Sequence, residues 1–446
     1  SITGVFTRWR WAMVWITQLV YYGLPWLTVH GRQAVLFDLE AGRFFLFSAV
    51  LYPQDLIYLA GLLVISALLL FFATTVAGRV WCGFACPQTV YTGLFQWIER
   101  RTEGDRQARL RLDRGPWNAQ KLLRRGGKHL AWALLALWTG FTLVGYFTPI
   151  RELALAVPGQ LGPWEGFWIG FYGLATYGNA GYLRESVCLH MCPYGRFQGS
   201  LMDPRTLNVA YDHRRGEPRR AGADSDTRAK SAGHCIDCTL CVQVCPTGID
   251  IRDGLQAACI GCGLCIDACN QVMDKIEAPR GLIRMASLLE LGGDTSRPGR
   301  SLNRFWRPRV VVYGSLLLIA MAAMTSAFLT RAEVRLNVVR DRSVMARTVD
   351  QGAVENVYTL QLMNASDRAR SLNVAIEPSS RVNLLGPSTV VLPPAQAHTI
   401  TVTAHMPQAV AATKAGEIID IHFEVTDPGH PSLPPVREPS TFIVPR

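Results

Sequence analysis

Residues 234–251 read HCIDCTLCVQVCPTGIDI and residues 258–274 read ACIGCGLCIDACNQVMD, so the spacing CxxCxxCxxxC occurs twice in immediate succession. Three thiolates on a tight turn reach three irons of one cubane, and the fourth cysteine, on the helical turn that follows, reaches the other cluster. On that rule Cys235, Cys238, Cys241 and Cys269 hold one [4Fe-4S] cluster, and Cys259, Cys262, Cys265 and Cys245 hold the second. Zinc is the chemical alternative, because CxxC pairs also build tetrahedral zinc sites. Four closely spaced cysteines in each of two repeats fit two cubanes better. Pro246 follows the first motif in the usual ferredoxin manner, whereas Asn270 stands where a second Pro is expected.

The chain has 12 cysteines, and the four outside these motifs form a second pattern. Residues 81–91 read WCGFACPQTVY and residues 187–198 read VCLHMCPYGRFQ. Each places two cysteines at i and i+4, one helical turn apart on one face, with Pro directly after. The duplication, with Phe95-Gln96 and Phe197-Gln198 as a weaker echo, predicts two related hairpins. If they pack together, Cys82, Cys86, Cys188 and Cys192 form one four-sulfur site with His190 and Met191 nearby. Such soft donors suit Cu(I), and four thiolates also suit a further iron–sulfur centre. The bland reading is buried cysteine at helix ends, packed as a small apolar residue.

Clustered cysteines of this kind indicate metal chemistry in a reducing compartment, because a secreted disulfide scaffold spreads its cysteines along the chain. The 446 residues are 49% hydrophobic, too many and too apolar for one small soluble domain. The net charge of +11 is concentrated in particular loops between apolar runs, the pattern of membrane topology and not of nucleic-acid binding.

Five stretches approach the length of about 20 residues that crosses a bilayer: 11–29, 56–77, 130–150, 164–183 and 310–329. The second and fifth carry no charge, and the fourth is rich in glycine and aromatic residues, with Glu165 near its start. The loop 79–129 holds Arg100, Arg101, Arg106, Arg109, Arg111, Arg114, Lys121, Arg124, Arg125 and Lys128, so the positive-inside rule assigns it to the cytoplasm. Residues 184–309 then also lie in the cytoplasm, and everything after 329 lies outside. The first span follows Arg8 and Arg10 with no small-residue cleavage site and reads as a retained helix.

Beyond residue 330 the texture changes to VYTLQLMN, SLNVAI, STVVL, HTITVTAHM, IIDIHFEV and TFIV, short runs divided by turn residues. They predict a β-sandwich of about 100 residues. Its scattered histidines, His398, His405, His422 and His430, read as surface or packing residues. The expected architecture is a five-helix transmembrane bundle with an inserted 2x[4Fe-4S] ferredoxin-like domain and a C-terminal all-β immunoglobulin-like sandwich. The divisions fall at 1–183, 184–309, 310–329 and 330–446. Membrane haem is not supported, since His30 and His129 lie only at span boundaries and no CxxCH occurs. Neither a GxGxxG after a strand nor a P-loop is present, so no built-in flavin or nicotinamide site is indicated.

The runs WCGFACPQTVYTGLFQWIER, VCLHMCPYGRFQGSLMDP and CIDCTLCVQVCPTGIDIRDGLQAACIGCGLCIDACNQVMDKIEAPRGLIR resemble the FixG/RdxA/CcoG family of cytochrome c oxidase accessory proteins. The similarity extends over nearly the whole chain, and Asn270 suits that family's second motif. It implies a bacterial inner-membrane protein that supports assembly of a cbb-type oxidase and reduces Cu(II) to Cu(I). By the same resemblance the eight ferredoxin cysteines bind clusters, and the CxxxCP pairs are candidates for copper handling or electron transfer. The implied partners are membrane lipids, the oxidase or its copper-delivery factors, and an electron donor left open. Two other readings stand beside this one: a quinol-linked electron-transfer subunit, and a non-redox assembly scaffold whose clusters are structural.

Overall fold

Helices occupy all five apolar stretches, and their bounds follow local chemistry. In this computed structural model the residues described are 2–157, 159–219, 233–291, 306–341, 346–349, 352–366, 368–378, 381–431 and 433–445. Parts of the expected cytoplasmic region, 220–232 and 292–305, lie outside them. Among the described residues, two helices are long and apolar enough to cross a bilayer, Leu56–Ala77 and Pro308–Leu329. The remaining stretches depart from that pattern for visible reasons. Val5–Gly23 carries Arg8 and Arg10, and it ends in a tight turn at Leu24–Trp26, short of residue 29. Ala119–Val144 opens with a basic turn, and Pro163–Gly178 passes at Asn179 into a widened π-helical turn, Asn179–Leu183. Of the five expected spans, all are helical, and the two without charge are the two that meet the apolar length among the described residues.

Hydroxyls within these helices find acceptors in their own turn, as an apolar surrounding demands. Thr74 donates to the Leu70 carbonyl at 2.8 Å, Thr75 to Phe71 at 2.9 Å and Thr142 to Trp138 at 2.9 Å. Small residues let the Ala119–Val144 and Pro163–Gly178 helices approach closely: a Cβ on Gly140 would lie 2.4 Å from the Ile169 carbonyl oxygen.

The chain divides into two compact units, one of residues 1–37 and 56–325, the other of 38–55 and 326–446. In the first, the cysteine-rich segment folds around a two-stranded antiparallel ribbon, Asn208–Tyr211 with Ile283–Ala286. Its core contains Val209, Tyr211, Ile251, Ile266, Met273, Leu282 and Ile283 together with Cys235 and Cys241. A long helix, Leu264–Lys275, begins within the second motif and runs past it, whereas the first motif contains a single helical turn, Leu240–Gln243. This difference explains Asn270. A proline there would interrupt the helix, and the asparagine instead stays helical and accepts the Gly281 N–H at 3.0 Å.

The same helix holds the amino-terminal one. The buried Asp267 carboxylate accepts the backbone N–H groups of Thr7 at 2.7 Å and Phe6 at 3.3 Å, and the Thr7 hydroxyl at 2.8 Å. These amides belong to the first turn of Val5–Gly23, which has no side-chain cap from its own Gly4. A carboxylate at a helix start satisfies free amides and complements the helix dipole.

The second unit is a sandwich of antiparallel sheets. One sheet orders Asn383–Leu385, Ala397–Met406, Ala353–Asn364 and Val334–Arg340, with Arg347–Val349 also paired to Ala353–Asn364. The other orders Thr389–Leu392, Arg370–Glu377, Ile418–Thr426 and Val436–Ile443. Strict alternation points Leu372, Val374 and Ile376 inward against Tyr358, Phe423 and Phe442. Residues 38–55, between the first two helices in sequence, also belong here. The Tyr52 hydroxyl donates to the Asn364 carbonyl at 3.0 Å, Arg331 to the Val50 carbonyl at 2.9 Å, and Arg335 pairs with buried Asp55 at 2.5 Å. Breaking a buried ion pair by removing one partner costs about 3 kcal/mol or more. Asp55→Ala should therefore lower the thermal midpoint of the β-unit in calorimetry of the full chain, with no change in iron content.

Candidate functional site

The backbone of the two cysteine motifs repeats a demanding geometry. In the second motif Gly261 and Gly263 have φ of 68° and 71°, and in the first the equivalent Asp237 and Thr239 adopt φ of 53° and 56°. These left-handed positions turn the loop so that its three thiols face one cavity. Side-chain-bearing residues take that conformation at a cost of roughly 1–2 kcal/mol, and the first motif offsets it with a specific anchor. Buried Arg252 bonds the Asp250 carboxylate at 2.6 and 2.8 Å and also pairs with Asp237.

Two cavities result. One is lined by Cys235, Cys238, Cys241 and Cys269, with Tyr211 and Arg252 in its wall. The other is lined by Cys245, Cys259, Cys262 and Cys265, with Cys241 also reaching it. Among the described residues, no three His, Cys, Asp or Glu side chains converge tightly enough to share a single metal ion. Thiols distributed around a cavity fit a group with several metal atoms, each taking one sulfur, which is the cubane pattern.

Burial raises the thiol pKa values from the ordinary 9.0, to about 11 for Cys241 and Cys259 and about 12 for Cys269. Without metal the folded state therefore holds protons that the unfolded chain releases first. The stability this contributes is complete below pH 9 and is lost as pH rises through the folded values. The apoprotein's thermal midpoint should stay level with respect to these groups up to pH 9 and fall between pH 9 and 11. The metal-loaded protein, its thiols already deprotonated, should lack that fall.

The CxxxCP pairs do not sit on regular helical turns. Cys82 lies in the short helix Val80–Phe84, but Cys86 is extended, with ψ of 128°, and precedes the helix Pro87–Thr102. Cys188 lies in the π-helical turn Val187–Met191, and Cys192, also extended at ψ of 110°, precedes Pro193–Leu201. Proline at the first helical position after each break is pre-organised for that place. The two hairpins clasp each other reciprocally. From the second motif's helix, Gln198 donates to the Cys82 sulfur at 3.2 Å. From the first motif's helix, Gln88 donates to the carbonyls of Asn179 and Arg184, both at 2.9 Å.

The four thiols are near enough to influence one another's ionisation. Cys188 is pushed up to about 11 by burial first and then by Cys86, Cys82 and Cys192. Cys82 is raised by burial, against the opposing hydrogen bond from Gln198. His190 and Met191 stand exposed on the π-helical turn. The structure thus brings the four cysteines within electrostatic reach of one another, and no three of them converge on a single point.

This thiol group adjoins the second cavity. A Cβ on Gly83 would lie 2.8 Å from the Cys262 Cα and 2.9 Å from the Ile260 carbonyl oxygen, so the Cys82 helix rests directly on the loop of the second motif. Arg79 reinforces the contact: it donates to the carbonyls of Cys259 at 3.0 Å, Gly195 at 3.4 Å and Ala257. Sequence spacing does not reveal Arg79, Gln198 or Arg252, whose partners are distant in the chain or set by loop geometry. The left-handed positions were accessible by aligning the two motifs, where Gly261 and Gly263 mark them. Thr239→Gly should relieve the strained turn and stabilise the apoprotein by about 1 kcal/mol in denaturant titration, whereas Gly261→Ala should destabilise it by a similar amount.

Comparison with known proteins places these features in a family. Residues 183–288 match the 4Fe-4S dicluster domain, residues 59–103 a 4Fe-4S binding domain, and residues 324–445 the Ig-like fold at the C-terminus of FixG. The chain is 39% identical to Protein RdxA of Cereibacter sphaeroides over 98% of its own length and 94% of the relative's. It is 39% identical to Protein RdxB of the same organism, covering 88% of this chain and 85% of that one. Against the nitrogen fixation protein FixG of Rhizobium meliloti the identity is 38%, over 86% of this chain and 80% of the relative.

Proposed function

Because the chain belongs to the FixG/RdxA family, we propose that it is a membrane-bound electron-transfer protein that reduces Cu(II) to Cu(I) during assembly of a cbb-type cytochrome c oxidase. Its iron–sulfur, electron-transfer and oxidase-assembly character follows from the dicluster match and the relatives. Copper as the substrate is the finer step. Cys235, Cys238, Cys241 and Cys269 hold one cluster in this reading, and Cys259, Cys262, Cys265 and Cys245 the other. When bound, such clusters supply one-electron transfer, matched to a one-electron metal reduction.

The observation that supports the reading is the contact of Gly83 with Cys262, which brings the CxxxCP thiols against the wall of the second cavity. Soft sulfur donors favour Cu(I) over Cu(II), so Cys82, Cys86, Cys188 and Cys192 retain the product better than the substrate. Gln198 supports this by donating to the Cys82 sulfur, a bond that favours the thiolate. Arg79 fixes the two motifs at one separation, and Arg252 holds the loop of Cys235 and Cys238 in register. His190 and Met191 are exposed donors from which an arriving copper ion passes inward.

The topology that goes with this function has five spans in a bacterial inner membrane. The basic loop around Trp117, whose ring lies under Lys121 and Arg125, faces the cytoplasm as an interfacial anchor. The cluster-binding region then lies on the same side, and the immunoglobulin-like unit faces the periplasm, where the oxidase presents its surface.

The match of residues 59–103 to a 4Fe-4S binding domain favours a second reading, in which the CxxxCP thiols hold a further iron–sulfur centre. One experiment separates the readings. Purified, anaerobically reconstituted protein is reduced with dithionite, freed of excess reductant and mixed with Cu(II), and Cu(I) is trapped with a chromogenic chelator. Wild type should form Cu(I), and Cys82→Ser/Cys188→Ser, with unchanged iron and sulfide, should lose at least about tenfold in rate. Wild-type protein that remains reduced without forming Cu(I) removes the copper reading. Loss of about four iron atoms per chain in the double variant supports the further centre.

A further inference from the structure

A cavity of about 320 Å³, open to solvent, lies beside the loop of Cys259, at the level where the two long apolar helices end. Ala77, the last residue of Leu56–Ala77, forms part of its rim. Arg307, just ahead of Pro308–Leu329, marks the same level: it pairs with Asp203 of the cavity wall at 2.8 Å and donates to the Thr75 carbonyl at 3.2 Å. Met202, Leu207, Leu255 and Met285 supply apolar walls, and Cys259 itself is exposed to the space. Polar groups are few and convergent. Arg79 lies in the wall with its terminal nitrogens already given to backbone carbonyls. Asn208 and Asp203 add oxygen acceptors.

We infer that this cavity binds the head group of a lipid-soluble quinol, the electron donor to the iron–sulfur centres; the donor role rests on the electron-transfer reading above. The chemistry of the walls selects that ligand class. A planar ring fits between thioether and aliphatic side chains, its oxygens need one donor and one or two acceptors, and its tail needs an exit into lipid. The Asn208 amide can donate as well as accept, and the Asp203 carboxylate accepts. Oxidation of one quinol to quinone releases two electrons and two protons. Two clusters, held by the cysteine motifs when bound, would accept one electron each on the side of Cys259, and Asp203 would take the protons on toward water.

The probe is an azide-substituted, photoreactive ubiquinone analogue, applied to the full cluster-loaded chain in lipid nanodiscs and mapped by peptide mass spectrometry. Labelling is expected on residues 199–209 and 255–261 and should be suppressed by unlabelled quinone. Gly199 lines the cavity, and a Cβ there meets no heavy atom within 4 Å, so Gly199→Phe fills the space without displacing the helix Pro193–Leu201. That variant, with wild-type iron and sulfide content, should lose about tenfold in labelling, the equivalent of 1.4 kcal/mol of affinity. Labelling elsewhere, labelling that quinone does not compete, or labelling unchanged in Gly199→Phe overturns the proposal. If Gly199→Phe does not fold, the map and competition in wild type decide alone. Dithionite-driven Cu(II) reduction should persist in the variant, and its absence from wild type would remove the copper reading while leaving the labelling result to judge the cavity.

Discussion

A side chain has no room at position 83. The Cys82 helix and the loop of the second cysteine motif meet there backbone to backbone, with Cys262 and Ile260 under the missing Cβ. Electron transfer and metal handling both depend steeply on separation, and this contact sets the separation between the two groups of thiols. Much of the surrounding structure maintains it. Arg79 spans from the Cys259 carbonyl to the Gly195 carbonyl, Gln198 reaches the Cys82 sulfur, and Gln88 ties the first hairpin to the turn that precedes the second motif. Each bond joins residues that are far apart in sequence, so the contact is a property of the assembled fold.

The two repeats solve one backbone problem with different residues. Glycine at 261 and 263 adopts the left-handed turn freely, whereas Asp237 and Thr239 need the Arg252 anchor to hold the same path. The first loop is accordingly held by charge, and the second by close packing against Phe6 and Arg79. Their helices differ as well. A single turn lies within the first motif, and a long helix with Asn270 in place of proline begins within the second and runs past it, giving that side the length to receive the amino-terminal helix.

The spacing of the cysteines marks the loops that line the two cavities, because metal ligation ties residue type to spacing over a few residues. The β-sandwich was readable for a similar reason, since alternation along Arg370–Glu377 is a local pattern. What escaped depends on partners distant in sequence. Residues 38–55 join the β-unit through Asp55 with Arg335 and Tyr52 with Asn364, although an entire apolar helix intervenes in the chain. The i, i+4 spacing of the CxxxCP cysteines predicted a regular helical turn. The following prolines instead impose an extended residue at Cys86 and Cys192, and the second pair sits on a π-helical turn. Apolarity located five helices and set apart the two without charge, the same two that are long and apolar enough to cross a bilayer, because Arg8, Arg10 and the basic start of Ala119–Val144 reduce the hydropathy of segments that are nonetheless helical.

The cap on the amino-terminal helix has a consequence for how the molecule is made. The carboxylate that receives the Thr7 amide belongs to Asp267, 260 residues later in the chain. Until that residue is made, the first turn of the helix lacks this partner. Its start is fixed only when the second cysteine motif has been synthesised and has folded. Completion of the metal-binding region and final seating of the first helix are thus one event in biosynthesis, and a nascent chain stalled before residue 267 carries a first helix whose start is still uncapped.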